Sequence, residues 1–155
     1  MSVFQEIIKS IEHIDKSFYE KAQKRLDSLT KPQGSLGRLE EFARRIVAIT
    51  ENPNPVINKK VIFTFAGDHG VVEEGVSAFP KEVTTQMVLN FLRGGAGINV
   101  LARHAGCEVA VVDIGVDYDF GNVDGLIQRK IVRGTRNIRK SPAMTMDEAE
   151  RCIEV

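Results

Sequence analysis

The stretch Val61-Ile62-Phe63-Thr64-Phe65-Ala66-Gly67-Asp68-His69-Gly70 constrains the fold of this chain more than any other. Its unbroken run of β-branched and aromatic residues has the composition of a strand buried on both faces, and such strands belong to parallel sheets. The run stops abruptly at Gly-Asp-His-Gly, where turn-forming and titratable residues take over. In open α/β sheets, ligands bind just beyond the carboxyl ends of the strands. Asp68 and His69 therefore stand where a site would be, although the same pair also reads as a loop cap with an imidazole packed on it.

A second run, Val109-Ala110-Val111-Val112-Asp113-Ile114-Gly115, repeats the pattern, with an acid arriving near the strand end and a glycine beyond it. Helical segments separate the two runs. Residues 81–92 carry Val83, Met87, Val88 and Phe91 at helical spacing, and Pro80 suits the first turn, where its missing N–H costs nothing. Arg93-Gly94-Gly95-Ala96-Gly97 matches neither G-x-G-x-x-G nor a P-loop and reads as a tight corner between helices. The next helix carries Ile98, Val100, Leu101 and Ala105 and closes at Gly106. Two strands separated in this way suit a parallel pair with a right-handed crossover. Residues 128–132 are expected to add a third, shorter strand.

Ahead of the sheet, residues 3–29 read as helix, with a break near Asp15 and Ser17; Ser17 and Glu20 match a capping box. Residues 30–37 form a turn-rich connector in which Ser35 or a neighbour can cap a further helix through Leu39, Phe42, Ile46 and Val47. Asn52-Pro53-Asn54-Pro55 stops that helix, because proline lacks a donor and disfavours helix in the residue before it. The expected organisation is a helical arm over residues 1–55 and the first part of an α/β base- or nucleotide-binding domain over 56–155. The expected fold class is α/β: a parallel, Rossmann-like sheet with helices on both faces, preceded by the N-terminal helical arm. Thr145 and Glu148 open a last helix with a capping box, and it runs to Val155 without glycine or proline. Two or three strands are also few for a sheet that must be covered on both faces, so the domain reads as incomplete at its C-terminus.

Composition removes several function classes. Lys+Arg and Asp+Glu are 21 each, giving zero formal net charge, which argues against a nucleic-acid partner held by phosphate neutralisation. Arg133, Arg136, Arg139 and Lys140 cluster locally, as a solvated loop or as an anion site. Cys107 and Cys152 lack C-x-x-C spacing and read as reduced thiols of a cytoplasmic protein. No secretory signal is visible, and no apolar run approaches the ~20 residues that span a bilayer. The irregular loop over 71–80 carries more apolar residues than a linker needs. Phe79 and Met87 flank the start of the helix after it; the pair reads as core packing or as a slot for a flat aromatic ligand.

Several stretches, taken in order, carry a resemblance. They are Lys31-Pro32-Gln33-Gly34-Ser35-Leu36-Gly37-Arg38-Leu39-Glu40, Ala66-Gly67-Asp68-His69-Gly70-Val71, Phe79-Pro80-Lys81-Glu82-Val83-Thr84, Val112-Asp113-Ile114-Gly115-Val116, and Arg133-Gly134-Thr135-Arg136-Asn137-Ile138 with Pro142-Ala143-Met144. In this order the chain resembles the nicotinate-nucleotide:dimethylbenzimidazole phosphoribosyltransferase family over essentially its whole length. The resemblance implies transfer of a phosphoribosyl group from nicotinate mononucleotide to 5,6-dimethylbenzimidazole, giving α-ribazole 5′-phosphate and nicotinate in cobalamin lower-ligand synthesis. It implies no metal and no cofactor, because a cationic nicotinate leaving group already supplies the activation. It implies a base pocket at Phe79, Pro80 and Met87, with Asp68 and His69 shaping the site, and a homodimer. It also places the family's catalytic glutamate and phosphate loop in a later segment, beyond Val155, so that this chain is expected to be inactive alone. Two other readings compete: a non-catalytic binding or assembly module, and a metal-dependent hydrolase using Asp68, His69 and Asp113, which lacks a spaced His pair.

Overall fold

The computed structural model describes residues 2–155, and its contacts divide the chain into two compact units, one of Gln5–Asn58 and one of Lys59–Val155 with the first residues up to Phe4. Helix α1 spans Val3–Ser10, α2 Lys16–Asp27 and α3 Arg38–Thr50.

Within the first unit, the break after α1 is made by Asp15, not by a Ser17–Glu20 capping box. Asp15 takes an extended conformation, and its carboxylate accepts the Ser17 backbone N–H at 2.8 Å and the Ser17 hydroxyl at 2.7 Å. An ionised acid satisfies the free donors of a helix start better than a hydroxyl does. Helix α3 has no side-chain cap from Ser35; Gly37 stands at its N-cap with φ +54°, a conformation that a glycine adopts freely. Glu40, in its first turn, folds back so that one carboxylate oxygen accepts the Leu36 N–H at 3.1 Å and meets Lys31 Nζ at 2.7 Å. The stretch from Lys31 to Glu40 is thus closed by its own end residues. The Lys31 hydrogen bond, and then the Leu36 N–H, hold the Glu40 carboxyl below its ordinary range.

In the second unit, β1 (Val61–Gly67), β2 (Glu108–Gly115) and β3 (Leu126–Gln128) form a three-stranded parallel sheet in the order β1-β2-β3. Helices α4 (Glu82–Leu92) and α5 (Gly97–Ala105) make the crossover from β1 to β2. Their corner is tied by Asn99, whose side chain accepts the Ala96 N–H at 3.2 Å and donates to Phe91 O at 3.0 Å. Val88, Val111, Val116, Ala66 and Phe120 form the core. Loop 116–125 stands in for a second crossover helix, because Val116 and Phe120 are buried where helix residues would pack.

Two expectations about the strands need correction. β1 is not buried on both faces: burial alternates along it, and Phe63 and Phe65 are 59% and 57% exposed, their rings stacked 6.2 Å apart. The third strand lies at Leu126–Gln128 rather than 128–132. Past it, Arg129 and Ile131 still donate to the Asp113 and Ile114 carbonyls, so the chain follows β2 without continuous pairing.

Beyond the strands, a 3₁₀ turn (Gly70–Glu74) packs directly on the loop after β3. A Cβ on Gly70 would stand 2.6 Å from Asn137 N, 2.6 Å from Thr135 O and 2.7 Å from Arg136 C. These are backbone atoms that cannot rotate away. Helix α6 (Met146–Ile153) opens with the capping box expected of Thr145 and Glu148, with bonds of 3.1 and 2.6 Å. The Glu148 carboxylate is also held by the Arg136 guanidinium at 2.7 Å. Arg136 first, and then the Thr145 N–H, pull the Glu148 carboxyl from 4.5 to about 2.

Three outcomes follow from these contacts. Gly70→Ala is expected to lower stability by about 1–3 kcal/mol, read from urea unfolding, because overpacking against backbone relaxes poorly. Lys31→Met should lower the unfolding midpoint more than the double replacement Lys31→Met/Glu40→Leu, since the single change strands a buried carboxylate; equal losses would show that the pair is immaterial. Because folding depresses the Glu148 pKa, its contribution is complete above about pH 4.5 and is lost as the pH falls toward 2. The stability gap between the parent chain and Glu148→Gln should therefore be constant near neutrality and close over that acid range.

Candidate functional site

Strand geometry separates the two residues at the β1 tip. Successive side chains point to opposite sides of an extended chain, and accordingly Asp68 is buried, 6% exposed, while His69 is exposed. The backbone here is clamped on both edges. Asp68 N–H donates to Gly115 O at 3.0 Å, and Thr135 N–H donates to Asp68 O at 2.9 Å. Gly134 N–H reaches the same Gly115 carbonyl at 2.9 Å, and Gly70 N–H donates to Thr135 O at 3.0 Å. The Asp68 side chain is fixed as well: its Oδ2 accepts the Asp117 N–H at 2.8 Å.

Asp113, at the tip of β2, behaves differently. One oxygen accepts the N–H groups of Gly115 and Val116 at 3.1 and 2.9 Å, and the other faces Lys130 Nζ at 3.1 Å, close enough to pair but off the hydrogen-bonding direction. With 1% exposure it is an internal staple for the turn after β2. Among the described residues no group of three His, Cys, Asp or Glu is arranged to hold a metal. The Asp68–His69–Asp113 grouping considered for a hydrolase is therefore not assembled.

The basic cluster is likewise not an open anion site. Arg136 pairs with Glu148, Arg139 with Glu74, Lys140 with Glu73 at 2.9 Å, and Arg133 lies 3.6 Å from Asp119. Buried Asn137 completes the arrangement, donating to Glu74 at 2.8 Å. Arg139, Lys140 and Asn137 brace the 3₁₀ turn against the loop after β3, while Arg136 ties that loop to α6. Cys107 and Cys152 are unpaired.

Beside the β1 tip lies a cleft of about 530 Å³, within the roughly 300–1,000 Å³ usual for small-molecule sites. Asp68, His69, Phe79, Pro80 and Met87 all line it, so the five residues that the resemblance assigned to the base site open on one space. α4 supplies one wall through Val83, Thr84, Met87 and Val88; the 3₁₀ turn and the loop after it supply another through Val72, Val76 and Phe79. Phe79 and Met87 are 67% and 37% exposed, so these apolar side chains are open to whatever enters. Against the bland reading, Phe79 is not core.

Sequence reasoning missed a second, polar compartment of about 340 Å³, lined by Asp68, Lys81, Thr85, Gln86, Asp117 and Tyr118, with Glu82. Asp68 and Lys81 belong to both spaces. The signal was present in α4, where Lys81/Thr85 and Glu82/Gln86 repeat at i, i+4 beside the apolar Val83/Met87 pair. One helix thus offers an apolar stripe to one compartment and a polar stripe to the other.

Known proteins match this chain closely. A family model described as phosphoribosyltransferase matches residues 11–155. The chain is 64% identical to a nicotinate-nucleotide–dimethylbenzimidazole phosphoribosyltransferase of Geobacter sulfurreducens, covering all of this chain and 44% of that protein. It is also 64% identical to the protein of the same name from Geotalea uraniireducens, again over 44% of its length. The crystal structure of the Thermus thermophilus protein bearing that name superimposes with a TM-score of 0.84 at 49% identity, over 89% of this chain and 42% of that one. The chain therefore spans under half the length of the relatives it matches, with the mixed α/β fold and parallel sheet they share. On the family model and these likenesses together, the chain belongs to the phosphoribosyltransferase family.

Proposed function

We propose that this chain forms the base-binding part of an enzyme that transfers a phosphoribosyl group from nicotinate mononucleotide to 5,6-dimethylbenzimidazole, giving α-ribazole 5′-phosphate and nicotinate. The observation that carries the reading is the cleft at the β1 tip, where Phe79, Pro80 and Met87 present apolar surface beside Asp68 and His69. A planar bicyclic azole fits such a slot: its faces meet the ring of Phe79 and the polarisable sulfur of Met87, while its nitrogens stay near the polar strand tip. The relatives' names supply the two substrates. We read the whole enzyme as a cytoplasmic homodimer that needs no metal or cofactor.

The chemistry divides accordingly. This chain holds and orients the acceptor base, which turns a bimolecular encounter into a positioned one. The general base that accepts the azole proton is the glutamate expected beyond Val155, so the 155 residues alone bind base without turning it over.

Titration of the chain with 5,6-dimethylbenzimidazole, followed by NMR, should perturb the resonances of Phe79 and Met87. Met87→Ala should weaken binding about tenfold, the loss expected when a thioether side chain that the bound base would cover is removed. Perturbations scattered away from the cleft, or unchanged affinity in Met87→Ala, would refute the assignment. Sustained release of nicotinate by this chain alone would overturn the division of labour.

A further inference from the structure

We propose that Asp68 is a positioning residue for the pentose of the transferred group, and that the polar compartment beside the base cleft receives that pentose. The inference rests on the reading of the cleft as a base site and assigns the space next to it.

Its main support is the state of the Asp68 carboxylate. The residue is 6% exposed, and its Oδ2 is committed to the Asp117 N–H at 2.8 Å. No hydrogen bond from the described residues reaches Oδ1. Oδ1 is not among the enclosed polar atoms left without a partner, so it opens on the spaces that Asp68 lines and is free to accept from an incoming donor. Lys81, the one lysine in either lining, makes no ion pair with Asp68 among the described residues. A hydroxyl entering either space can therefore donate to Oδ1 without displacing a protein partner. Backbone bonds to Gly115 and from Thr135 hold the residue on both edges, so a partner gains a fixed acceptor.

The second support is the change in chemistry across Asp68. On one side the lining is Phe79, Val83 and Met87; on the other it is Thr85, Gln86 and Asp117. A base joined to a pentose changes character at the glycosidic bond in the same order, from flat and apolar to hydroxylated. Asp68 lines both spaces, where hydroxyls next to that bond would lie. Thr85 and Gln86 supply further donors and acceptors to a hydroxylated ring.

The test compares the free base with nucleosides on the whole 155-residue chain. The probes are 5,6-dimethylbenzimidazole, α-ribazole, and the 2′,3′-dideoxy analogue of α-ribazole, each titrated by NMR or calorimetry. α-Ribazole should bind about tenfold tighter than the dideoxy analogue, the gain expected of one charge-assisted hydrogen bond. Asp68→Asn should remove most of that ratio, and Thr85→Val should reduce it in part. A purely structural role for Asp68 would weaken every probe equally and leave the ratio intact, which would overturn the proposal. Equal binding of α-ribazole and its dideoxy analogue by the parent chain would overturn it even if Asp68→Asn failed to fold. Failure of all three probes to reach Phe79 and Met87 would instead refute the base site itself.

Discussion

The arrangement depends on a four-bond backbone clasp at the ends of β1 and β2. Gly115 O receives two N–H groups, from Asp68 and Gly134; Thr135 donates to Asp68 O and accepts from Gly70. Three segments far apart in sequence are locked together by main-chain atoms alone. Such a junction leaves no room for side chains: a Cβ added to Gly70 would meet backbone within 3 Å, and one added to Gly115 would sit 3.2 Å from Val132 O. Glycine is required here for closeness, and at Gly134 for its φ of +67° as well. Once the clasp is closed, Asp68 has no freedom to leave the cleft, and the walls built on the 3₁₀ turn and α4 take their places around it.

Charge plays a supporting part. The carboxylates of Glu73, Glu74 and Glu148 and the cations Arg136, Arg139 and Lys140 pair across the loop after β3. Surface pairs of this kind contribute little singly, but here they join the outer side of the same junction that the backbone clasp closes inside. The protein thus spends its local excess of positive charge on holding the frame of the cleft, whose lining is left mostly apolar, with one lysine, Lys81, at the boundary.

How much of this was legible in the sequence follows from the range of the forces involved. The helices, the corner after α4, the last capping box and the first two strands were readable, because each element is signalled by residues a few positions apart. Phe79 and Met87 were readable as a pair for the same reason: one turn and one helix set their spacing. The partners of Arg139 and Lys140 were not, since Glu73 and Glu74 come near them only through the clasp. The polar compartment needed three dimensions as well, because Asp117 and Tyr118 join α4 from across the sheet end. The burial of β1 misled for a further reason. Composition records a strand's preference for apolar surroundings, whereas Phe63 and Phe65 show that preference unmet on one face.

The aromatic inventory has a practical side. The chain contains no tryptophan and only two tyrosines. Tyr19 belongs to α2, with the Arg44 guanidinium 5.8 Å from its ring centre, whereas Tyr118 meets Phe120 edge-on at 5.1 Å and borders the polar compartment. Each compact unit therefore carries a single phenol, so replacing one tyrosine by phenylalanine leaves the near-ultraviolet tyrosine signal to the other unit alone.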